Sequence, residues 1–495
     1  MTAVAHSVCA AKAATSRIRV VWLALFALFT LLYLLTAQRG VSWQDSGMFQ
    51  WRILNADYVG ELGLALAHPL YIGMGRAVGA VNIGNFAWRV NALSGMGLGL
   101  MVANLAGAIH ALTGKRSVAT VVAGTIGLAH TAWWLGTVAE VYTWSAAGLA
   151  GEVWLAILLI RRPDTKLLAL LALISGLGWS LHNFALLALP VHVALACWLI
   201  WGKRRLSPWS LAWAGAAYVI GSGAYLVMIA QLAMQVGVSA AVRSALFGEY
   251  TQQVLAVAPA GGLFKVNMAL SALNFANLLL PLAVVGWLSF RRLERVTAVA
   301  MGTVTAIHVL FFVRYPVPDQ FTFILPSLVM VGLWAGVGLS RLVDTVGARG
   351  RRILTGVCVV SALAQPMWYA LAPALVHRLG LSPAREVSRP TRDEAGYWLL
   401  PWKHDERSAE SFARQALEEV PTRSTIIADS TSLYPLLVTQ QLENLAPGVS
   451  VTTSIPPEAE LETLYSTTPR PGFKNCHTKA MLYKYVSDTP TNQVN

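Results

Sequence analysis

The sequence predicts a polytopic α-helical membrane protein with a small α/β domain at its C-terminal end. Hydrophobic residues make up 56% of the 495 positions and charged residues only 12%, about half the charged share of an average soluble domain. Apolar runs recur along most of the chain, each close to the roughly 20 residues that a helix needs to cross a bilayer. Clusters of Lys and Arg separate these runs, as cytoplasmic loops do in membrane proteins.

The basic clusters also predict the topology. Placing all of them in the cytoplasm gives a consistent arrangement of about eleven spans. The predicted spans are 20–36, 88–112, 118–135, 144–160, 167–181, 184–201, 211–232, 266–290, 296–313, 321–339 and 353–374. An odd count leaves the N-terminus in the cytoplasm and the C-terminal segment outside. We therefore expect a multi-pass protein of the inner (plasma) membrane.

The net charge of +13 is explained by the loops that face the cytoplasm and its anionic lipids. It calls for no nucleic acid partner; the expected partners include membrane lipids. The first apolar run lacks a small-residue cleavage site, so we interpret it as a retained helix. The four cysteines predict no disulfide framework and no Cys-x-x-Cys metal site.

Composition divides the chain into a transmembrane domain, 1–375, and an external α/β domain, 376–495. Asp, Glu, Pro, Ser and Thr become frequent after the division, and runs of membrane length disappear. Ser408 to Val420 is rich in helix formers, and Thr425 to Ala428 is typical of a short buried strand. Met481 to Val486 alternates as a late strand does.

The long first external loop, 38–87, contains the leading catalytic candidate, Asp45, directly after the first span. A carboxylate at a membrane interface loses solvation, so its presence indicates a role. One role is a general base that takes a proton from an acceptor hydroxyl; the alternative is a helix cap or a solvated loop acid. Asp57 to His68 predicts a helix along the interface, ended by Pro69.

Five further residues, one in the first external loop and four at the outer ends of predicted spans, are candidates for the walls of a binding site. Each also has a purely structural interpretation, such as helix termination for His68 or placement of the ring among lipid head groups for Tyr142. The candidates are His68, Glu140, Tyr142, His182 and Asn183.

Arginines on the external side oppose the usual charge bias, which makes them informative. A guanidinium presents paired donors that match phosphate oxygens. Arg314, followed by Tyr315 and Asp319, is the strongest predicted phosphate contact, and Arg243 is the second. The other external arginines are Arg52, Arg76 and Arg89, of which Arg89 is also a candidate site residue.

Trp43 precedes Asp45 by two positions, which makes it a candidate for stacking on a sugar ring. The alternative is a place in the aromatic belt that membrane proteins form at the bilayer surface.

Five short motifs together resemble a known family. They occur in the order Asp45-Ser-Gly, Leu66-Ala-His-Pro-Leu-Tyr, Trp88-Arg-Val-Asn-Ala-Leu-Ser, Ala139-Glu-Val-Tyr and Gly176-Leu-Gly-Trp-Ser-Leu-His-Asn. In these stretches the chain is similar to bacterial membrane proteins related to the eukaryotic protein O-mannosyltransferases, members of the GT-C glycosyltransferase superfamily. The resemblance covers about the first 200 residues.

The resemblance implies an inverting glycosyltransferase. Its donor would be a sugar linked to a polyprenyl phosphate, its acceptor a hydroxyl of a protein or glycan, and Asp45 its acidic catalytic residue. One position departs from the family pattern, in which Glu commonly follows Asp-Ser-Gly, because Met48 stands there. A second loop carboxylate is then missing unless Asp57 or Glu61 replaces it. No cofactor is predicted, and dependence on a divalent metal is left open.

Two other classes of function remain open from the sequence. A transporter or lipid flippase usually carries charged residues within its spans, whereas here the polar features gather on one face. An assembly or receptor subunit that presents the external domain would fit if Met48 signals lost chemistry.

Overall fold

The computed structural model describes residues 2–256, 261–317, 319–381, 391–455, 463–476, 479–480 and 482–486. Twenty α-helices account for most of these residues. They are α1 Thr2–Thr36, α2 Gln44–Leu54, α3 Pro69–Gly79, α4 Phe86–Thr113, α5 Arg116–Gly127, α6 His130–Leu135, α7 Tyr142–Arg161, α8 Thr165–Leu181, α9 Ala185–Cys197, α10 Trp209–Val236, α11 Val238–Phe247, α12 Thr251–Leu255, α13 Gly261–Asn274, α14 Leu279–Leu288, α15 Arg295–Arg314, α16 Leu325–Thr345, α17 Ala348–Arg378, α18 Glu394–Leu399, α19 Ser408–Glu419 and α20 Leu433–Glu443.

The prediction of a polytopic helical membrane protein is confirmed. Within the described part of the chain, eight helices are long and apolar enough to cross a membrane, and the pair α13 and α14, bent by 100°, makes a ninth candidate. The predicted spans 118–135 and 167–181 also fall on helices, but these are shorter. The first is broken into α5 and α6, and the second is α8, with 17 residues.

The helices differ in how much of their surface other helices cover. α4 and α16 are surrounded by other helices and form the centre of the bundle. In contrast, α10 and α17 leave large apolar side chains exposed, among them Trp213, Ile220, Val360 and Leu371. Such a surface is suited to contact with lipid tails rather than water.

The loop between α1 and α4 corrects one prediction. Asp57 to His68 does not form a helix: it contains turns and one 3-10 turn, Leu64–Leu66. The physical reason lies in Gly60 and Gly63, which adopt φ values of 69° and 88°, because positive φ ends any right-handed helix. Pro69 therefore begins helix α3 instead of ending one, which its fixed φ favours.

The C-terminal region contains a five-stranded sheet with the order β2-β1-β3-β5-β4. β1 pairs in parallel with β2 and β3, and β5 pairs antiparallel with β3 and β4. The strands are β1 Thr425–Ile427, β2 Ser450–Thr452, β3 Leu464–Ser466, β4 Phe473–Asn475 and β5 Tyr483–Tyr485. The predicted helix at Ser408 and the strand at Thr425 are confirmed, and the late strand predicted for 481–486 is confirmed as β5; residue 481 itself lies outside the described residues. The domain division after residue 375 stays a prediction, and α17 continues to Arg378.

The C-terminal region packs directly against the first loop and the bundle. The Trp43 indole N–H donates to the Ser408 hydroxyl at 2.8 Å, and its ring packs on Phe412. The guanidinium of Arg392 lies over the Trp43 ring. Lys403 is buried, and its ammonium donates to the carbonyl oxygens of Tyr397 and Leu400. Burial lowers the pKa of Lys403 to about 7. The contacts of Trp43, the residue before α2, hold the start of this helix against the C-terminal region.

Helices α14 and α16 pack so closely that their contact leaves no space for a side chain at Gly338. A Cβ atom there would collide with the carbonyl oxygen of Leu282. We expect Gly338→Ala to lower the free energy of unfolding by about 1–3 kcal/mol, because overpacking forces the helices apart. Gly215→Ala is the matched control, since a Cβ atom at Gly215 meets no atom within 4 Å. Thermal unfolding in detergent would check both, and equal melting temperatures would contradict the packing.

Candidate functional site

One cavity contains most of the polar residues singled out in the sequence. It encloses about 1010 Å³, including its open mouth. Its polar wall consists of side chains from the first loop, α7, the α8–α9 corner and the segment after α15: Asp45, His68, Tyr142, His182, Asn183 and Asp319. Its apolar wall comes from α9, α11 and α15: Leu186, Leu187, Leu246, Phe247 and Phe311. The structure thus brings five of the candidate residues together.

Asp45 stands in the first turn of α2, where the helix dipole favours a negative charge. Its two neighbours explain the Asp-Ser-Gly motif. The Ser46 hydroxyl donates to the Glu140 carboxyl at 3.0 Å. Gly47 lies so close to the carbonyl oxygen of Ser42 that a Cβ atom would collide with it. Asp45 itself is exposed to the cavity, so the motif orients it without burying it.

Glu140 is not among the cavity-lining residues but lies behind Asp45. It is 4% exposed, and its second carboxyl oxygen has no hydrogen-bond partner among the described residues. Burial raises the pKa of Glu140 well above its ordinary value, and the charge of Asp45 raises it further, against the opposing effect of the Ser46 hydrogen bond. Two nearby carboxyl groups therefore lie in different environments: Glu140 is buried and holds its proton, whereas Asp45 is exposed in the first turn of α2, where the helix dipole favours a negative charge.

His68 and His182 stack with their ring centroids 5.1 Å apart. Burial is the main cause that lowers the pKa of both rings, to about 3 for His182, so both are neutral at pH 7. Their hydrogen bonds assign the tautomers. The His68 Nδ1–H donates to the carbonyl oxygen of Leu181 at 2.7 Å, whereas Nδ1 of His182 accepts from the backbone N–H of Phe184 at 3.1 Å. His182 consequently carries its proton on Nε2, as a neutral donor.

Asp319 is a cavity residue that the sequence did not single out as catalytic. The Tyr142 hydroxyl donates to its carboxylate at 3.4 Å. Asp319 is thus a second acidic side chain in the cavity, whereas the position after Asp45-Ser-Gly, where the family commonly has Glu, is Met48. Asp57, considered as a replacement, instead pairs with Arg52 at 3.5 Å. The signal in the sequence was an acid in a short loop between two predicted spans, but its distance along the chain from Asp45 did not show that the two acids line one cavity.

No arginine or lysine occurs among the described residues that line the cavity. The Arg314 guanidinium lies behind the wall, over the Phe311 ring at 5.3 Å, and donates to the carbonyl oxygens of Val254 and Ala256. Arg243 is exposed on α11, one helical turn before the lining residue Phe247, and so shares its face. The structure therefore places these two arginines beside the cavity rather than within it.

Two other candidates also lie away from the cavity. The Arg89 guanidinium donates to the carbonyl oxygen of Gly84 at 3.3 Å, which ties the start of α4 to the preceding turn. Trp43 is 1% exposed and packs against the C-terminal region, so its ring faces no open space where a sugar could stack. Asn183 lines the cavity, but its amide group donates to the carbonyl oxygens of Ala245 and Leu246.

The described residues contain no group of three or more His, Cys, Asp or Glu side chains arranged to hold a metal ion. The chemistry that the cavity offers is the Asp45 carboxyl group, two neutral imidazoles, a phenol and a second acidic side chain beside an apolar wall. That combination is suited to proton transfer at an amphipathic substrate with a lipid part.

Comparison with solved structures identifies the fold as that of the GT-C glycosyltransferases. The chain is similar to ArnT from Cupriavidus metallidurans bound to undecaprenyl phosphate, with a TM-score of 0.56 and 13% identity over 93% of this chain and 97% of ArnT. The apo state of that ArnT gives a TM-score of 0.52 with 14% identity, over 87% of this chain and 89% of ArnT.

A family model adds a second comparison, in sequence. The model described as the N-terminal domain of protein O-mannosyl-transferase TMEM260 matches residues 65–205. No curated protein matches the chain. The family model and the shared fold support the predicted class, a membrane glycosyltransferase of the GT-C type, and give no support to a transporter.

The raised pKa of Glu140 predicts a pH dependence of stability. The folded protein keeps the proton on Glu140 at pH values where the unfolded chain, with its ordinary pKa of 4.5, has released it. The free energy of unfolding therefore falls as pH rises from about 4.5 towards the folded pKa. In the Glu140→Gln variant, which has no carboxyl proton at position 140, this part of the decrease in the free energy of unfolding should be absent.

Melting temperatures of both proteins across that pH range would measure the difference. Glu61→Gln, in an exposed acid of the same loop, is the control and should behave as the unchanged protein does. Parallel pH curves for the Glu140→Gln variant and the unchanged protein would contradict a proton held at Glu140.

Proposed function

We propose that the protein is an inverting glycosyltransferase that moves a sugar from a polyprenyl-phosphate-linked donor to an acceptor hydroxyl. The observation that carries this proposal is the single cavity in which Asp45 faces the apolar side chains of α9, α11 and α15. An acid and a lipid-compatible wall in one space are what such a reaction requires. The cavity opens at the end of the bundle that carries the first loop, which is the extracytoplasmic end in the predicted topology.

The donor would lie with its prenyl chain along the apolar wall. Leu186 and Leu187 of α9 and Phe311 of α15 offer that wall, and van der Waals packing would hold the chain there, since the chain is already in the hydrocarbon of the bilayer. The structurally similar ArnT is described as bound to undecaprenyl phosphate, which supports the same class of donor lipid here. The family model, named for O-mannosyl transfer, favours mannose as the sugar and a protein or glycan as the acceptor.

In the proposed reaction, Asp45 accepts the proton of the acceptor hydroxyl as the oxygen attacks the anomeric carbon. The new carbon–oxygen bond forms while the bond from that carbon to the donor phosphate breaks, and the electron pair leaves with the phosphate. Attack from the opposite face inverts the anomeric configuration. Asp45 is suited to this step because it is exposed and stands at a helix N-terminus that favours its charged form, whereas Glu140 behind it holds its proton and adds no second charge.

The leaving phosphate would be stabilised by groups at the other side of the cavity. His182 offers a neutral Nε2–H donor, which suits an oxyanion because it is already oriented by Phe184. Arg243 lies on the cavity face of α11, and Arg314 lies directly behind Phe311. Their positive charge would favour the anionic leaving group from beside the cavity, without touching it.

The proposed base gives a direct test. We expect Asp45→Asn to lower kcat about 10²–10⁴-fold, the usual effect of losing a general base. Glu61→Gln is the control, because Glu61 is an exposed acid of the same loop and is not a cavity residue. Transfer from a labelled polyprenyl-phosphate sugar in membranes would be measured. Full transfer by Asp45→Asn would remove Asp45 from the mechanism.

Arg243 gives a second test of the donor position. We expect Arg243→Gln to raise KM for the lipid-linked donor about 3–10-fold with little change in kcat, because the guanidinium attracts the phosphate at the rim and does not join the chemical step. Arg292→Gln is the matched control, an exposed arginine in the turn between α14 and α15. The same KM for both variants would place the phosphate elsewhere.

A further inference from the structure

Three ionisable residues lie buried inside the helical bundle, away from the cavity that contains Asp45. Glu152 of α7, His192 of α9 and His308 of α15 are 2%, 6% and 3% exposed. Each belongs to a helix that is long and apolar enough to span the membrane. Ionisable side chains at such positions are costly and usually indicate a role.

The contacts within this group leave polar atoms without partners. The Nδ1 atom of His192 is 3.9 Å from the Glu152 carboxyl, too far for a hydrogen bond. Neither this atom nor Nε2 of His308 has a hydrogen-bond partner among the described residues. A buried polar atom with no partner costs about 1–3 kcal/mol, so a group that supplies the missing bonds would stabilise this part of the bundle.

A narrow cavity lies between two of these side chains, Glu152 and His308, whereas His192 lines a separate apolar cavity. Glu152, His308 and Ser145 line it, and it has room for about one water molecule. An internal water usually makes two to four hydrogen bonds. The carboxyl group, the imidazole nitrogen and the hydroxyl at this cavity are three partners, which is sufficient for one water.

The surroundings of Glu152 also bear on its charge. Its partner in the ion pairs that the described residues form is the imidazole of His192, and neither Lys nor Arg pairs with it. The other titratable groups that face it are His308 and Tyr218. A carboxylate so far from water and without a permanent cation is strongly disfavoured, whereas a protonated carboxyl both donates and accepts.

We propose that Glu152 and His308 form an intramembrane water-binding junction, beside His192, in which Glu152 is an uncharged acid. The water accepts the Glu152 O–H and donates to Nε2 of His308, which joins α7 to α15. His308 precedes Phe311, a residue of the Asp45 cavity, by one helical turn. Phe184 lines both cavities, so the junction positions their shared wall.

Infrared spectroscopy of the full chain in lipid nanodiscs tests the charge of Glu152. The unchanged protein should show a carbonyl band of a protonated carboxyl group at neutral pH, and Glu152→Gln should lose part of that band. Glu140→Gln removes a different protonated acid and serves as the comparison, so the two losses should add in the double variant. A band unaffected by Glu152→Gln would show a carboxylate at position 152 and overturn the proposal.

The water is tested through His308. His308→Phe removes the acceptor nitrogen but keeps a ring of similar shape, so the Glu152 carbonyl band should shift. His308→Gln keeps a hydrogen-bonding group, and its band should remain closer to that of the unchanged protein. An unshifted band in His308→Phe would mean that no water joins the two residues.

Enzyme activity gives a separate measurement of the positioning effect. Glu152→Gln should retain the transfer rate within about twofold, whereas Glu152→Leu should lower it at least tenfold while the chain remains folded. Equal rates for the two variants would contradict the positioning role. The infrared results stand whether or not the chain transfers a sugar, so failure of the proposed function and failure of this junction are distinguishable.

Discussion

The site depends on the contacts that fix the position of helix α2. This short helix is held from three directions: Ser46 bonds to Glu140 of the bundle, Gly47 packs on the Ser42 carbonyl, and Trp43 is bonded to Ser408 of the C-terminal region. Because Asp45 lies between these fixed neighbours, its carboxylate has a defined direction towards the cavity although it is exposed. The C-terminal region thereby contributes to the site without supplying a residue to the cavity.

The second principle of the site is the separation of charge between neighbouring acids. Glu140 is removed from water and keeps its proton, while Asp45 is exposed at a helix N-terminus, where the helix dipole favours its charged form. If both were charged, each carboxylate would raise the proton affinity of the other, and the two groups would compete for one proton. Neutral His68 and His182 add donors and acceptors of known tautomer without changing the net charge of the cavity.

Much of the architecture followed from apolar run length alone. Each of the eleven predicted spans falls on a helix or on two consecutive helices, as 118–135 and 266–290 do, because a helix that crosses hydrocarbon needs a continuous apolar sequence. The shortest predicted span, α8, was also the one with a polar outer end. The prediction of a helix over Asp57 to His68 was wrong. It followed the apolar periodicity of the segment and neglected two glycines, whose positive φ ends a helix. Glu152, His192 and His308 went unrecognised as a group because they lie on three different helices.

Residue types along the chain were enough to predict the class of protein, the approximate bounds of its apolar helices, and the motifs around Asp45, His68, Tyr142 and His182, whereas eight or nine candidate spans among the described residues stand against the eleven predicted. These features are local, since each depends on residue types within a few turns of chain. Only the tertiary structure decided which residues share a cavity. In the structure, Asp319 lines the cavity, and Trp43 packs against α19 instead of facing that cavity. The Arg314 guanidinium donates to backbone carbonyl oxygens. The physical reason is that side-chain contacts between distant segments depend on how helices pack, and packing is not written in the spacing of residues along one helix.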